Sequence, residues 1–417
     1  MNKILDIATA QKARVILTGD TKQHTSVERG DALRTLQTEA GISSIQVSKI
    51  QRQKNEQYKQ AVDFLGKSNI EKGFQKLEKI GAIHEIEDHT ERINKIADEY
   101  YQSSFKNIKR ERKQNEVLVI SPTHKEGEKV TEKIRAKLKQ ENILNADDNE
   151  FKTFQNLHLT AAEKQKQENY TADRWLIFHQ NCKGFKAGSK YQIADVKGKK
   201  EIELKDSNGG ASIITLDKAA NYNLYETKNT TISRGDKIRI TSNGKASDGK
   251  HLFNGSLFNV NGFDKQGNIR LSNGSTISKD YGHFTLGYVV TSHASQGKTV
   301  DKVIISQSSM SFRASSKEQF YVSVSRGRQA VSIYTDDKLD LLNAVKQSNE
   351  RRSAKDLIRK NKILNEAVAI NRNDMLKRIK EGAEIVAQKI RASFTKKNTI
   401  NYELQRQSSP TDPGKDR

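Results

Sequence analysis

Apolar positions in the first sixty residues fall into two short β-type runs, each introduced by a helix-type stretch. RVILTGD (Arg14–Asp20) reads as a strand following a helical opening. A second helix, about Gly30 to Ala40, leads to the strand-like SIQVSKI (Ser44–Ile50). Strand, polar loop and helix in that order predict an α/β domain. From Gln57 to Tyr101 the spacing turns helical, with Ser68 and Glu71 placed as a capping box. EVLVIS (Glu116–Ser121) is a continuous apolar run of buried-strand type. Thr123 and Glu126 predict the cap of the helix behind it, whose apolar face is Val130, Ile134 and Leu138. Thr160 to Glu163 predicts a further helix start.

Residues 185–285 change character. Short runs such as KIRI and LFNV alternate with Asn-Gly, Gly-Asn and Asp-Gly pairs, the signals of tight hairpins. They predict a small β-barrel set between flanking α/β parts. YVVT, VIIS and VSIYT resume the buried-strand pattern from Leu286. Beyond about Asp340 the chain is helical, highly charged and proline-free until SSPTDPGKDR, a tail expected to be disordered.

The 417 residues carry a formal charge of +22, with 34% hydrophobic and 30% charged positions. That excess favours a polyanionic partner, nucleic acid first and anionic membrane second; a general lysine bias would also produce it. A single cysteine, Cys182, excludes a disulfide framework and a cysteine-cluster metal site. No apolar run approaches membrane-spanning length, and MNKILDIATAQK lacks a signal-peptide core. A soluble, cytoplasmic protein without membrane association is expected.

TSHASQGKT (Thr291–Thr299) ends like a phosphate-binding P-loop. Yet Ser292 stands where G-x-x-x-x-G-K-[ST] needs its first glycine, and a strand-type run, VDKVIIS, follows where a helix should. The stretch belongs to an ordered set. Gly19-Asp20-Thr21-Lys22-Gln23 and Gln51-Arg52-Gln53 each follow a strand-type run; Thr291 to Gly297 and Phe320-Tyr-Val-Ser-Val-Ser-Arg326-Gly-Arg328 come later. In order and spacing they resemble motif III, the following arginine motif, motif V and motif VI of superfamily 1 helicases, in the RecD-like, 5′-to-3′ branch. Leu159 to Glu163 with Asn169-Tyr170, FHQNCKGFKAGSKY, Gly235 to Ile240, Asn254-Gly255 and the segment after motif VI are similar to the helicase region of MobF-type conjugative relaxases.

The resemblance implies an α/β fold with an incomplete first RecA-like lobe (1–50) and a complete second lobe (51–184 and 286–340). That second lobe would carry an inserted β-barrel (185–285), followed by a charged helical region (341–405) and a disordered tail (406–417). It implies ATP and Mg²⁺ as cofactors and single-stranded DNA as partner. Gln23 would sense the γ-phosphate, Asp20 would orient that loop, and Arg52 and Arg326 would act as arginine fingers from the second lobe. Gly297 and Gln296 would link the nucleotide cleft to DNA, with Thr291, Ser292 and His293 at the strand. His24, Trp175, Cys182 and Arg328 are read equally well as packing or surface residues, as are the basic helices after Arg351.

The chain departs from the family pattern. It contains no G-x-x-x-x-G-K-[ST] and no Asp-Glu pair at the motif II position, and only eighteen residues precede Gly19. Met1 therefore reads as an internal methionine of a longer frame, with an upstream fragment carrying the P-loop and relaxase domain as a candidate partner. ATP and Mg²⁺ would bind only if that part were supplied. No metal site is expected in this chain. Two expectations follow: the C-terminal part of an ATP-dependent DNA helicase, inactive as an ATPase alone, or a non-enzymatic module that binds single-stranded DNA.

Overall fold

The computed structural model describes residues 1–24, 32–38, 40–45, 47, 50–106, 116–198, 200–349 and 381–389. The chain divides into two compact units, Met1–Asn349 and Glu350–Arg417. Of the second, residues 381–389 are helical; the expected tail, 406–417, and the basic stretch from Arg351 lie outside the described residues.

In chain order the first unit begins with α1 (Asn2–Ala10), α2 (Ala32–Thr38), α3 (Glu56–Gly66), α4 (Ile70–Lys79), β1 (Ile83–Glu85), α5 (His89–Tyr101), β2 (Val117–Ile120) and α6 (His124–Gln140). Capping explains where the helices start. Asn55, Asn69, Asp88 and Thr123 each accept a hydrogen bond from a backbone N–H three residues on, satisfying donors that have no partner within the helix. The cap of α4 is Asn69 rather than Ser68. Ser68 takes a left-handed backbone (φ 60°), which turns the chain between α3 and α4 and removes it from capping position.

β-structure then runs without a helix of more than one or two turns from Asp148 to Leu286. It begins well before residue 185. β3 (Asp148–Asn156), β4 (Trp175–Phe178), β5 (Lys190–Lys197), β6 (Glu201–Lys205), β7 (Ala211–Thr215) and β8 (Tyr222–Ser233) form an antiparallel sheet of order β3-β8-β4-β5-β6-β7. The helix expected at Thr160 is a single 3₁₀ turn, Glu163–Gln165, although Thr160 and Glu163 do cap each other. β9 (Lys237–Ile240) follows the tight turn after β8. The short pair β10 (Gly244–Lys245) and β11 (His251–Leu252) precedes β12 (Leu257–Phe263), β13 (Ile269–Leu271), β14 (Thr276–Ile277) and β15 (Phe284–Leu286). These make a second antiparallel sheet, β14-β13-β12-β9-β15, around Ile238, Ile240, Val260, Ile269 and Leu271.

The chain returns to the α/β part with β16 (Val289–Val290), the one-turn helix α7 (Ser292–Ser295), β17 (Val300–Ser306), α8 (Lys317–Val324), β18 (Gly327–Thr335) and α9 (Lys338–Lys346). β1-β18-β17-β2-β16 is a wholly parallel sheet. Its strands bury both faces, which is why they read as continuous apolar runs. Leu118, Ile120, Val303 and Ile305 pack against α3, α4, α8 and α9. Val117, Val119 and Ile304 face α5 and α6, where they meet Val130, Ile134 and Leu138. Fully burying one such side chain stabilises by about 1.5–3 kcal/mol, so Val303→Asp would unfold this layer.

One expected strand is not formed: Arg14–Asp20 is unpaired, with Ile16 78% exposed. A strand needs a neighbouring strand for its N–H and C=O groups, and among the described residues none lies beside this run. Of the second run, Ser44–Ile50, residues 46, 48 and 49 lie outside the described residues.

Candidate nucleotide and nucleic-acid cleft

Parallel strands place the residues of this site together, because β17 and β18 lie side by side and the loops that enter them meet at the same end of the sheet. Arg326 sits between α8 and β18. It is 2% exposed, its Nε donating to the Val322 carbonyl at 2.8 Å and its Nη2 to the Ser325 hydroxyl at 3.0 Å. Arg52 reaches the same residue from the lead-in to α3: Nη1 donates to the Ser325 carbonyl at 2.6 Å. Its Nε donates to the Thr299 hydroxyl at 3.0 Å. Ser325 thus holds both arginines.

The loop that presents Ser325 is itself clamped. Gln53 Nε2 donates to the carbonyls of Ser325 (3.0 Å) and Gly327 (2.8 Å), and the Tyr58 hydroxyl donates to the Val324 carbonyl. A Cβ on Gly327 would stand 2.8 Å from that hydroxyl and 2.5 Å from the Ala330 carbonyl oxygen, so only glycine fits. Burial, and then the charge of Arg52, bring Arg326 down to about 10. Asp20 and Tyr321 act in the opposite sense. Two guanidinium groups held on one serine, partly shielded from water, attract an anion strongly.

Gln23 Nε2 donates to Asp20 Oδ2 at 3.0 Å, and the Lys22 N–H to Asp20 Oδ1 at 2.9 Å. Asp20 therefore orders the loop that carries Gln23, and its charge is felt by Arg326 and Tyr321. Gln23 is bonded to Asp20 and to neither arginine. His24 was open to other readings in the sequence. Here its Nε2 lies 2.8 Å from the Ser292 hydroxyl, and its ring stacks on His293 at 3.6 Å. Burial, and next His293, lower His24 to about 4, while burial also lowers His293.

Thr291 caps α7 by accepting from the Ala294 N–H, and Ser292 is 3% exposed beneath His24. Gln296 is exposed. Gly297 (φ 76°) then turns the chain through a left-handed position, and Thr299 beyond it meets Arg52. Motif spelling pointed to most of these positions. Gln53, Thr299, Tyr321 and Ser325 lie within the motifs but were given no role there, and Tyr58 was not singled out; only a three-dimensional neighbour shows what they do. Arg328 pairs with Asp301 (2.9 Å) and Glu116 (3.3 Å) at the N-terminal ends of β18, β17 and β2, a structural role. Trp175 packs on Phe154 with Lys152 over its ring.

A nucleoside triphosphate with Mg²⁺ fits this arrangement in part. Arg52 and Arg326 suit the outermost phosphate. No group of three or more His, Cys, Asp or Glu side chains among the described residues could hold a metal ion, and the sequence has no P-loop to cradle the inner phosphates. No helix among the described residues is long and apolar enough to cross a membrane.

Residues 1–88 match a family model described as an AAA domain. No curated protein matches the chain. Among solved structures it is similar to a Pif1 helicase from Bacteroides in complex with ADP-AlF3 and ssDNA. Identity there is 15%, over 75% of this chain and 55% of that one, with a TM-score of 0.27. Bacteroides Pif1 bound to ssDNA follows at 13%, 75%, 54% and 0.27. The Pif1 helicase from Candida albicans stands at 13%, 70%, 56% and 0.22. The chain spans about half the length of these structures. Its mixed α/β architecture with a parallel sheet agrees with the fold class read from the sequence.

Proposed function

We propose that this chain supplies the motif III-to-VI portion of an ATP-dependent, 5′-to-3′ DNA helicase acting in conjugative transfer. The observation that carries the reading is the joint seating of Arg52 and Arg326 on Ser325, with Thr299 of the motif V loop bonded to the same Arg52. In this reading a triphosphate held by a P-loop and an Asp-Glu pair from an upstream segment would meet both guanidiniums and Gln23. Arg326, drawn back onto Val322, would swing outward to reach it. Thr291, Ser292, His293 and Gln296 would meet single-stranded DNA, and Gly297 would let the loop pass the change from one ligand to the other. The MobF-type assignment and the polarity rest on the resemblance of the motifs alone.

The test is complementation. The chain by itself should show no DNA-stimulated ATPase. Fused or mixed with a segment bearing the P-loop and Asp-Glu pair, it should hydrolyse ATP. Arg326→Ala or Arg52→Ala should then lower turnover about a thousandfold or more, with DNA affinity nearly intact. Robust ATPase from the chain alone, or arginine variants as active as wild type, would sink the reading.

A second reading is favoured by the absence of a P-loop: a non-enzymatic module that uses the same cleft to bind single-stranded DNA. Complementation distinguishes the two, because a binding module gains no ATPase from the added segment.

A further inference from the structure

The six-stranded antiparallel sheet ends on β7 (Ala211–Thr215), which pairs only with β6. The register decides which backbone groups are already used. The Leu216 N–H donates to the Lys200 carbonyl and the Asp206 N–H to the Gly210 carbonyl. Bonded pairs in an antiparallel ladder recur at every second residue. Ser212 and Ile214 therefore turn their N–H and C=O groups toward β6, while Ala211, Ile213 and Thr215 turn theirs away from the sheet. Among the described residues no partner bonds these outward groups. Ile214 fills the core together with Ile202 and Leu204, but Ile213, on the opposite face, is 54% exposed.

Open edges are ordinarily blunted by shortness, by charge or by a covering loop, and the other edge strands are. β14 and β16 have two residues each, and β1 and β15 have three. β3 is long, but it carries Asp148, Glu150 and Lys152, and its Phe154 N–H is taken by the Gly282 carbonyl. β7 has five residues and no charge, proline or glycine. We infer that β7 seats β7 of a second copy of this chain, the two strands running antiparallel about a two-fold axis through Ile213. Each outward N–H and C=O then finds its partner, with Ile213 against Ile213 and Ala211 against Thr215. Charge selects this arrangement. On the exposed face Glu201, Glu203 and Lys205 lie beside Thr215, Ile213 and Ala211. The row that starts at Glu201 and Thr215 continues into Ala211 and Lys205 of the second copy, so unlike charges end it. Two isoleucines separate Glu203 from its counterpart, and Lys197 holds its carboxylate at 2.6 Å. Parallel pairing would end the same rows on like charges.

The experiment is sedimentation equilibrium on the full chain from micromolar to millimolar concentration. Ile16→Lys and Val47→Lys are present throughout, so that exposed apolar side chains of the N-terminal residues offer no competing contact. This parent should form a dimer, because a two-fold edge pairing closes on itself. Ile213→Lys sets like charges directly opposite and should weaken the dimer about tenfold or more. Ala211→Pro removes an outward N–H and leaves the β6 ladder whole. It should weaken the dimer with little change in melting temperature, and it decides the matter if Ile213→Lys disturbs the fold. Lys205→Glu should weaken the dimer about threefold. Adding Glu201→Lys to it makes every row end on unlike charges again and should restore the parent value. A monomeric parent, a dimer indifferent to the edge variants, or a charge exchange that restores nothing overturns the proposal. A monomeric parent that takes an added valine-rich peptide on β7 overturns it too, since the edge would then belong to a foreign strand.

Discussion

His24 and His293 lie face to face at 3.6 Å, a separation suited to uncharged rings. The folded protein lowers His24 to about 4, from an ordinary 6.5, chiefly through burial. A depressed pKa means that the unfolded or released segment binds the proton first. The contribution of the stack is complete above about pH 6.5 and is lost as pH falls from there toward 4. The neighbouring charges oppose one another: Glu318 favours protonation, while His293 and Arg326 disfavour it. Acidification from pH 7 to 5 should therefore loosen residues 20–24 from Ser292. Protection factors in that loop, the intrinsic exchange rate at each pH divided by the observed rate, should fall in the wild type and change much less in His24→Gln. Equal responses in the two proteins would remove the histidine stack as the cause.

At the scale of elements, the turn between β8 and β9 ties the β insertion to α6. Asp236 is 0% exposed and accepts from Arg135 Nη2 (2.8 Å), the Ser233 N–H (2.7 Å) and the Tyr288 hydroxyl (2.8 Å). Arg135 also bonds Asp148 at the start of β3, which Lys139, Ser233 and Arg135 hold down at about 2 against the upward pull of burial. Asp236→Ala takes one of two carboxylates from the Arg135 guanidinium and removes the acceptor of the buried Tyr288 phenol and of the Ser233 N–H. It should cost about 3–5 kcal/mol, read from urea denaturation; a loss under about 1 kcal/mol would show the turn to be held mainly by packing. None of this network was visible in the sequence, since Arg135 and Asp236 are 101 positions apart. What was legible shares one cause. EVLVIS, VIIS and VSIYT are buried on both faces and so advertise themselves as apolar runs, and Thr123 caps its helix through purely local geometry. RVILTGD has the same lettering yet forms no strand, because lettering reports preference and pairing needs a neighbour. The arginines of the cleft were found through motif order; their meeting on Ser325 depends on a strand order that periodicity does not encode.

At the scale of the whole molecule, exposed large apolar side chains among the described residues are most frequent in the first 47. Ile4, Ile7, Ile16, Ile42, Ile45 and Val47 are all more than half exposed, beyond what isolated surface side chains account for. The chain in isolation should self-associate through this region. Sedimentation velocity should show concentration-dependent association that Ile16→Lys with Val47→Lys relieves; association unchanged by the pair would place the contact elsewhere. Supplying the P-loop-bearing segment should have the same effect as those substitutions, by covering the region.

The motif V loop touches two separate parts of the first unit within nine residues. Ser292 and His293 meet His24, and Thr299 meets Arg52. Such a junction obeys reciprocity. If a strand settling on His293 draws Thr299 and Arg52 toward a nucleotide, that nucleotide must tighten the strand by the same factor. The free energy of that exchange is a property of the loop, so each ligand's affinity measured with and without the other must give one number.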